Sequence, residues 1–109
     1  MSDSALNVEH DGIRFSDVRD ASQYEARSAE GERLATAVYE LSDDAMIFTH
    51  TWVAPQHRGE GLGQQIVKLA LDDASERGLQ VMPMCPFVAD FVRENPEYAR
   101  LVRGAVEGG

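Results

Sequence analysis

Gly59, Gly61 and Gly63 stand at alternate positions in the segment Val53-Ala54-Pro55-Gln56-His57-Arg58-Gly59-Glu60-Gly61-Leu62-Gly63, between a β-rich run and a helical one. Missing side chains let a backbone come close to a ligand. The first N–H groups of a helix have no partner within it, and they lie at the positive end of its dipole. A glycine-rich turn entering a helix is therefore a cradle for an anion, phosphates above all. Arg58 can add a charged contact. The spacing is not that of the two commonest phosphate loops. A dinucleotide fingerprint needs glycine where Gln64 stands, and a nucleoside-triphosphate loop needs Lys then Ser or Thr where Gln64 and Gln65 stand. The alternative is a turn that binds nothing, but each glycine there adds unfolded-state entropy to be lost on folding.

Two further side chains have chemistry to offer. Cys85 ends a short apolar run and precedes Pro86, and proline favours the first helical position. A thiol at the positive end of a helix dipole is eased towards its nucleophilic thiolate, which can accept an acyl group. The plain alternative is a small buried core residue. His50 lies three residues before Val53, and strict alternation puts it on one face with Phe48 and Trp52. An imidazole there can take a proton from an incoming ammonium near neutral pH. Otherwise it is a half-buried histidine paired with backbone or with Thr51.

These groups need a scaffold. The first twenty or so residues read weakly, with a short strand within Val8–Phe15 and a turn at Asp20-Ala21-Ser22. An antiparallel meander follows. Gln23–Ala29 alternates with Tyr24, Ala26 and Ser28 on one face, and Glu30-Gly31-Glu32 turns the chain. Arg33–Leu41 alternates with Ala35, Ala37, Tyr39 and Leu41 on one face, and Ser42-Asp43-Asp44 turns again. Ala45–Val53 is rich in β-branched and aromatic residues, and Pro55 ends it. From Leu62 the period becomes helical through Ile66, Leu69, Ala70 and Ala74, and Arg77-Gly78 stops the helix. Leu79–Met84 reads as a buried strand, and Phe87–Glu94 and Pro96–Val102 as short helices. A strand–helix–strand unit implies a parallel pair with a right-handed crossover. The expected fold is mixed α/β, with residues 1–22 as an N-terminal segment, 23–103 as the domain and 104–109 as a flexible tail.

Composition narrows the function. The chain has 109 residues, enough for one domain, and a formal net charge of −9, which disfavours nucleic-acid phosphates and mildly favours a cationic substrate or partner, the alternative being that it only keeps the protein soluble. With one cysteine, and with His10, His50 and His57 lacking zinc spacing, neither a disulfide nor a metal site is expected. Apolar runs are too short to span a bilayer, and Met1–His10 has no signal-peptide pattern, so a cytoplasmic protein without membrane contact is expected. Oligomeric state leaves no mark on the sequence.

Arg58-Gly59-Glu60-Gly61-Leu62-Gly63, preceded by Val53-Ala54-Pro55, resembles the Arg/Gln-x-x-Gly-x-Gly/Ala signature of the GNAT superfamily of N-acetyltransferases. The chain is most similar to a small single-domain GNAT-like subfamily, through His50-Thr51, Leu71-Asp72-Asp73-Ala74, Arg77-Gly78, Cys85-Pro86-Phe87-Val88 and Asn95-Pro96-Glu97-Tyr98. That resemblance implies a GNAT-like fold and transfer of an acetyl group from acetyl-CoA to the amine of a small molecule or protein. Its implied cofactor residues are Val53, Arg58, Gly59, Gly61, Leu62 and Gly63, with Asn95 on the pantetheine arm unless it only stops a helix before Pro96. The arm is implied to lie in a gap where the strand ending at Val53 splays from Leu79–Met84. Tyr98 is implied to protonate the departing thiolate, or to pack the terminal helix. Cys85 as an acetyl carrier is favoured over direct attack, in which the thiol would only line the tunnel. The subfamily is small in the region that shapes an acceptor site, so a CoA-binding regulatory module with little turnover is the alternative function.

Overall fold

A computed structural model describes residues 5–103. The tail expected at 104–109 lies outside the described residues. Asn7–His10 (β1) and Ile13–Val18 (β2) form a hairpin. Its turn is Asp11-Gly12, with φ of 54° and 78°. Two left-handed residues in succession match the right-handed twist of the strands, which is why Asp-Gly suits such a turn. The expected short strand is thus a pair, and its signal was the dipeptide inside it. A 3-10 turn at Arg19–Ala21, ended by Ser22 in the left-handed region, leads into Gln23–Arg27 (β3).

Arg33–Ser42 (β4) and Ala45–Val53 (β5) follow, each close to its expected bounds. The helix α1 spans Leu62–Glu76 and delivers the chain to Gln80–Pro83 (β6), which pairs parallel to β5. Pro86–Glu94 (α2) and a 3-10 helix at Pro96–Leu101 complete the order. The sheet runs β1-β2-β3-β4-β5-β6, antiparallel until the last pair. No described helix is long and apolar enough to cross a membrane.

One core lies between the sheet and the helices. Tyr24, Ala35, Ala37, Tyr39 and Phe48 from the strands meet Ile66, Val67, Ala70 and Leu71 of α1, with Val88, Phe91 and Tyr98 at its flank. Small alanines at 35 and 37 let α1 approach the sheet, and the tyrosines fill the space beside them. Leu41, on the face of Ala35, Ala37 and Tyr39 by alternation, is 53% exposed, because β4 runs past the end of the core there.

The tyrosine hydroxyls need partners in this apolar layer. Tyr24 donates to Asp73 at 2.6 Å and Tyr39 to Asp17 at 2.6 Å. Arg77 bridges the two carboxylates, at 3.2 Å from Asp17 and 3.5 Å from Asp73. The last turn of α1 is thereby fixed to β2 by charge-assisted bonds that satisfy otherwise costly buried groups.

Two bulges decide which side chains face which way. Ala26 pairs with Ala35 but Arg27 with Arg33, so Leu34 is an extra residue of β4 and Arg33 leaves the inward face. Val38 pairs with His50 but Tyr39 with Phe48, so Thr49 is an extra residue of β5. An inserted residue reverses the alternation beyond it. Phe48 is therefore wholly buried while His50 is exposed, which corrects the shared face expected from simple alternation. His50 and Trp52 do share a face, the one opposite the core.

Candidate functional site

β5 and β6 pair only as far as Phe48 with Pro83. Beyond that point β5 continues to Val53, while the chain after β6 turns away. Its departure is fixed where the Cys85 N–H donates to the Phe48 carbonyl at 2.9 Å. The two strands thus splay, and the sheet edge of His50–Val53 is left open on that side.

The splay widens into a cleft of about 750 Å³. His50, Thr51, Trp52 and Val53 form one wall, and Arg58, Gly59, Gly61, Leu62 and Gly63 form another, with Phe87 between. The mouth of the cleft suits an anion. No side chain caps α1, no acidic residue stands in its first turn, and its first intrahelical bond is Gln65 N–H to Gly61 carbonyl, at 3.0 Å. The N–H groups ahead of Gln65 are left for a ligand. Glu60 is the nearby carboxylate, and it is drawn to His57 at 3.0 Å.

The glycines act in different ways. Gly59 and Gly61 hold φ of 85° and 80°, which other residues adopt only with strain, and a Cβ on either would meet nothing within 4 Å. Their role is to shape the backbone. Gly63 has ordinary helical geometry, but a Cβ there would stand 2.8 Å from Phe87 Cζ and 3.2 Å from Val53 Cγ2. Its role is close packing of the helix start against the cleft wall, whereas the sequence suggested close approach of a ligand. Arg58 is exposed, and its Nε donates to the Val53 carbonyl at 3.0 Å, bracing the loop against the end of β5.

His50 stands on the cleft wall with no side-chain partner among the described residues. Thr51, offered by the sequence as its neighbour, turns to the other face and meets Cys85, Oγ1 to Sγ at 3.4 Å. Cys85 caps α2 with Pro86 in the first turn, the position its sequence implied. Its side chain is buried and does not line the cleft; Thr51 stands between.

Asn95 and Tyr98 are not brought to this cleft. Asn95 Nδ2 donates to the Phe91 carbonyl at 2.9 Å, closing α2, and Tyr98 donates to Asp72 at 2.7 Å while packing on Phe91. Burial, and then the bond to the Asp72 carboxylate, push the Tyr98 hydroxyl above its usual range. Phe87 and Trp52, which the sequence reading did not place in the site, line the cleft. Phe87 follows Cys85-Pro86, and the only local hint is an aromatic residue in the first turn of a helix that begins at the splay.

Among the described residues no group of His, Cys, Asp or Glu could hold a metal ion. A sequence model of the family described as GCN5-related N-acetyl-transferase matches residues 23–101. The chain is 30% identical to Protein NATD1 of Bos taurus over 92 residues, 84% of this chain and 75% of that protein. It is 29% identical to human Protein NATD1, over 84% of this chain and 75% of the relative. Its fold is similar to that of a GCN5-like protein of Staphylococcus aureus solved by NMR, with a TM-score of 0.63 at 19% identity, over 94% of this chain and 91% of the other. The ribosomal-protein-S18-alanine N-acetyltransferase of Escherichia coli gives a TM-score of 0.55 at 15% identity, over 81% of this chain and 54% of that one.

Proposed function

The chain belongs to the GCN5-related N-acetyltransferase family, and from that premise we propose that it transfers an acetyl group from acetyl-CoA to an amine. The observation that carries this reading is the single cleft in which an uncapped helix start and an open strand edge face each other. One end offers N–H groups to a pyrophosphate, through Gly59–Gly63, with Arg58 beside them. The other offers the free edge of His50–Val53 to an amide-bearing arm, as an added strand would use it. Acetyl-CoA supplies the activated acyl group; the protein supplies position and a base.

His50 is the base in this proposal. It borders the cleft, faces solvent and has no competing side-chain partner among the described residues, so it can take the proton of an arriving ammonium and leave the amine nucleophilic. Attack at the thioester carbonyl forms the amide bond and breaks the carbon–sulfur bond, and the second proton of the nitrogen passes through water to the departing thiolate. Tyr98 and Asn95 have no part, because their polar groups are engaged away from the cleft.

A second reading rests on Cys85. It stands at the point where β6 leaves β5, in contact with Thr51 of the cleft wall. A small movement of Thr51 would expose the thiol to the acyl group, and acetyl would pass through a protein thioester. Its burial behind Thr51 is the reason we prefer direct transfer. An acetyl-CoA titration followed by calorimetry tests the common part of both readings. A saturable one-site isotherm is expected; no binding by the folded protein would remove both.

A further inference from the structure

The face of the sheet opposite the core carries a second cavity, of about 320 Å³, lined by Gln23, Arg33, Thr36, Val38, His50 and Trp52. His50 and Trp52 line this cavity and the cleft alike, one on each side of the β5 edge. The bulge at Thr49 turns both to this face, and the bulge at Leu34 brings Arg33 round to join them.

The charge here runs against that of the chain. At the margin lies Glu25, with a side chain only 6% exposed, held by Gln23 at 2.7 Å and by Arg27 at 2.9 Å. Arg33 approaches it at 3.5 Å. Burial works to raise the Glu25 carboxyl, but these hydrogen bonds and the two arginine charges outweigh it and hold it below the usual carboxylate range. One carboxylate is thus surrounded by two guanidiniums and an amide. Arg33 keeps donors free, since NH1 alone contacts Glu25 and half of its side chain is exposed. A chain with a net charge of −9 has placed a locally positive, shallow pocket beside the imidazole of its transfer site.

We propose that this pocket is the acceptor site, and that it selects a small primary amine carrying a carboxylate. This rests on the acetyl-transfer reading of the adjoining cleft. The amine lies at His50, the carbon chain runs over Val38 and against the Trp52 ring, and the carboxylate meets Arg33. Arg33 and Val38 are roughly 16.5 Å apart along β4 at ~3.3 Å per residue, and the arginine side chain covers about half of that. The carboxylate is therefore several bonds from the nitrogen, as in an ω-amino acid, and a diamine is disfavoured by Arg33.

The experiment uses the full chain with acetyl-CoA and three acceptors of equal length: 5-aminovalerate, pentylamine and cadaverine. Free-thiol release gives kcat/KM, and the fluorescence of Trp52, the only tryptophan, reports acetyl-CoA and acceptor binding without turnover. The expected result is at least tenfold higher kcat/KM for 5-aminovalerate than for either other amine. In Arg33→Gln that ratio falls towards one, mainly through KM, and Arg33→Lys restores part of it. Unchanged circular dichroism shows that each variant is folded. Equal use of the three amines, preference for cadaverine, or a ratio unaffected in Arg33→Gln would overturn the acceptor site while leaving acetyl transfer standing. A folded wild type that shows neither an acetyl-CoA fluorescence change nor thiol release with any amine would overturn the transfer reading and this proposal with it.

Discussion

Thr51 Oγ1 lies 3.4 Å from Cys85 Sγ, so the hydroxyl on the cleft wall covers the chain's only thiol. The contact divides the two routes for the acetyl group. With Cys85 behind Thr51, Cys85→Ala removes a small buried side chain at the splay and leaves the wall in place. We expect it to keep activity within a few-fold of wild type, and no acetylated protein to build up with acetyl-CoA alone. His50→Gln should lose about 10²- to 10⁴-fold in kcat, the range of a lost general base, with acetyl-CoA affinity little changed. A stable single-acetyl mass increase that vanishes in Cys85→Ala, together with loss of turnover, would favour the covalent route instead.

Gly61 tests the anion cradle. Gly61→Asp puts a carboxylate at the uncapped start of α1 and asks an L-residue to hold φ of 80°. Asparagine tolerates that backbone about as well as aspartate, so Gly61→Asn isolates the charge. Acetyl-CoA affinity should fall at least tenfold in the aspartate variant, about 1.4 kcal/mol, and clearly less in the asparagine variant. Equal affinities in the two would show that no phosphate sits at this helix end.

Gly63 separates packing from binding. In Gly63→Ala the new methyl meets the tip of the Phe87 ring at 2.8 Å, and that ring borders the cleft. The relief of helical glycine, up to ~1 kcal/mol, offsets much of the cost of moving the ring. The melting temperature should therefore change little while acetyl-CoA binding weakens. Restored affinity in Gly63→Ala with Phe87→Leu, read by calorimetry, would confirm the ring as the cause; a large fall in melting temperature with intact affinity would contradict it.

Each of the three tyrosines donates to an aspartate: Tyr24 to Asp73, Tyr39 to Asp17 and Tyr98 to Asp72. Burial first, and then the neighbouring carboxylate, raise all three above their ordinary value of 10.0. A group raised in the folded state keeps its stabilising contribution below its unfolded pKa. That contribution is lost as pH climbs from there through the folded value. Stability should thus fall above pH 10, and phenolate absorbance should rise together with loss of the circular-dichroism signal. Phenolate appearing near pH 10 in a protein of native ellipticity would contradict the burial of these hydroxyls.

Much of this was legible in the sequence, and the exceptions share a cause. The meander, β5, α1 and the glycine loop announce themselves through local period and punctuation, which need no knowledge of neighbours. The side on which His50 lies does not. It depends on Thr49 being an extra residue opposite Val38 and Tyr39, a matter of pairing between strands. Arg33 is the same case through Leu34. The roles of Tyr98 and Asn95 turned on which element their helix packs against, and Gly63 on the Phe87 ring above it. Asp11-Gly12 was different, for the hairpin signal was local and present.

If this cleft moves an acetyl group to nitrogen, the new amide is directly observable. The most direct test incubates the purified chain with acetyl-CoA labelled in the acetyl carbon and a mixture of primary amines, and follows the products by mass spectrometry. Labelled N-acetyl amine is expected in amounts equal to the free CoA released, reduced in Gly61→Asp at limiting acetyl-CoA and strongly reduced in His50→Gln. Binding of acetyl-CoA with no labelled amide from any amine, or label found only on the protein, would contradict it.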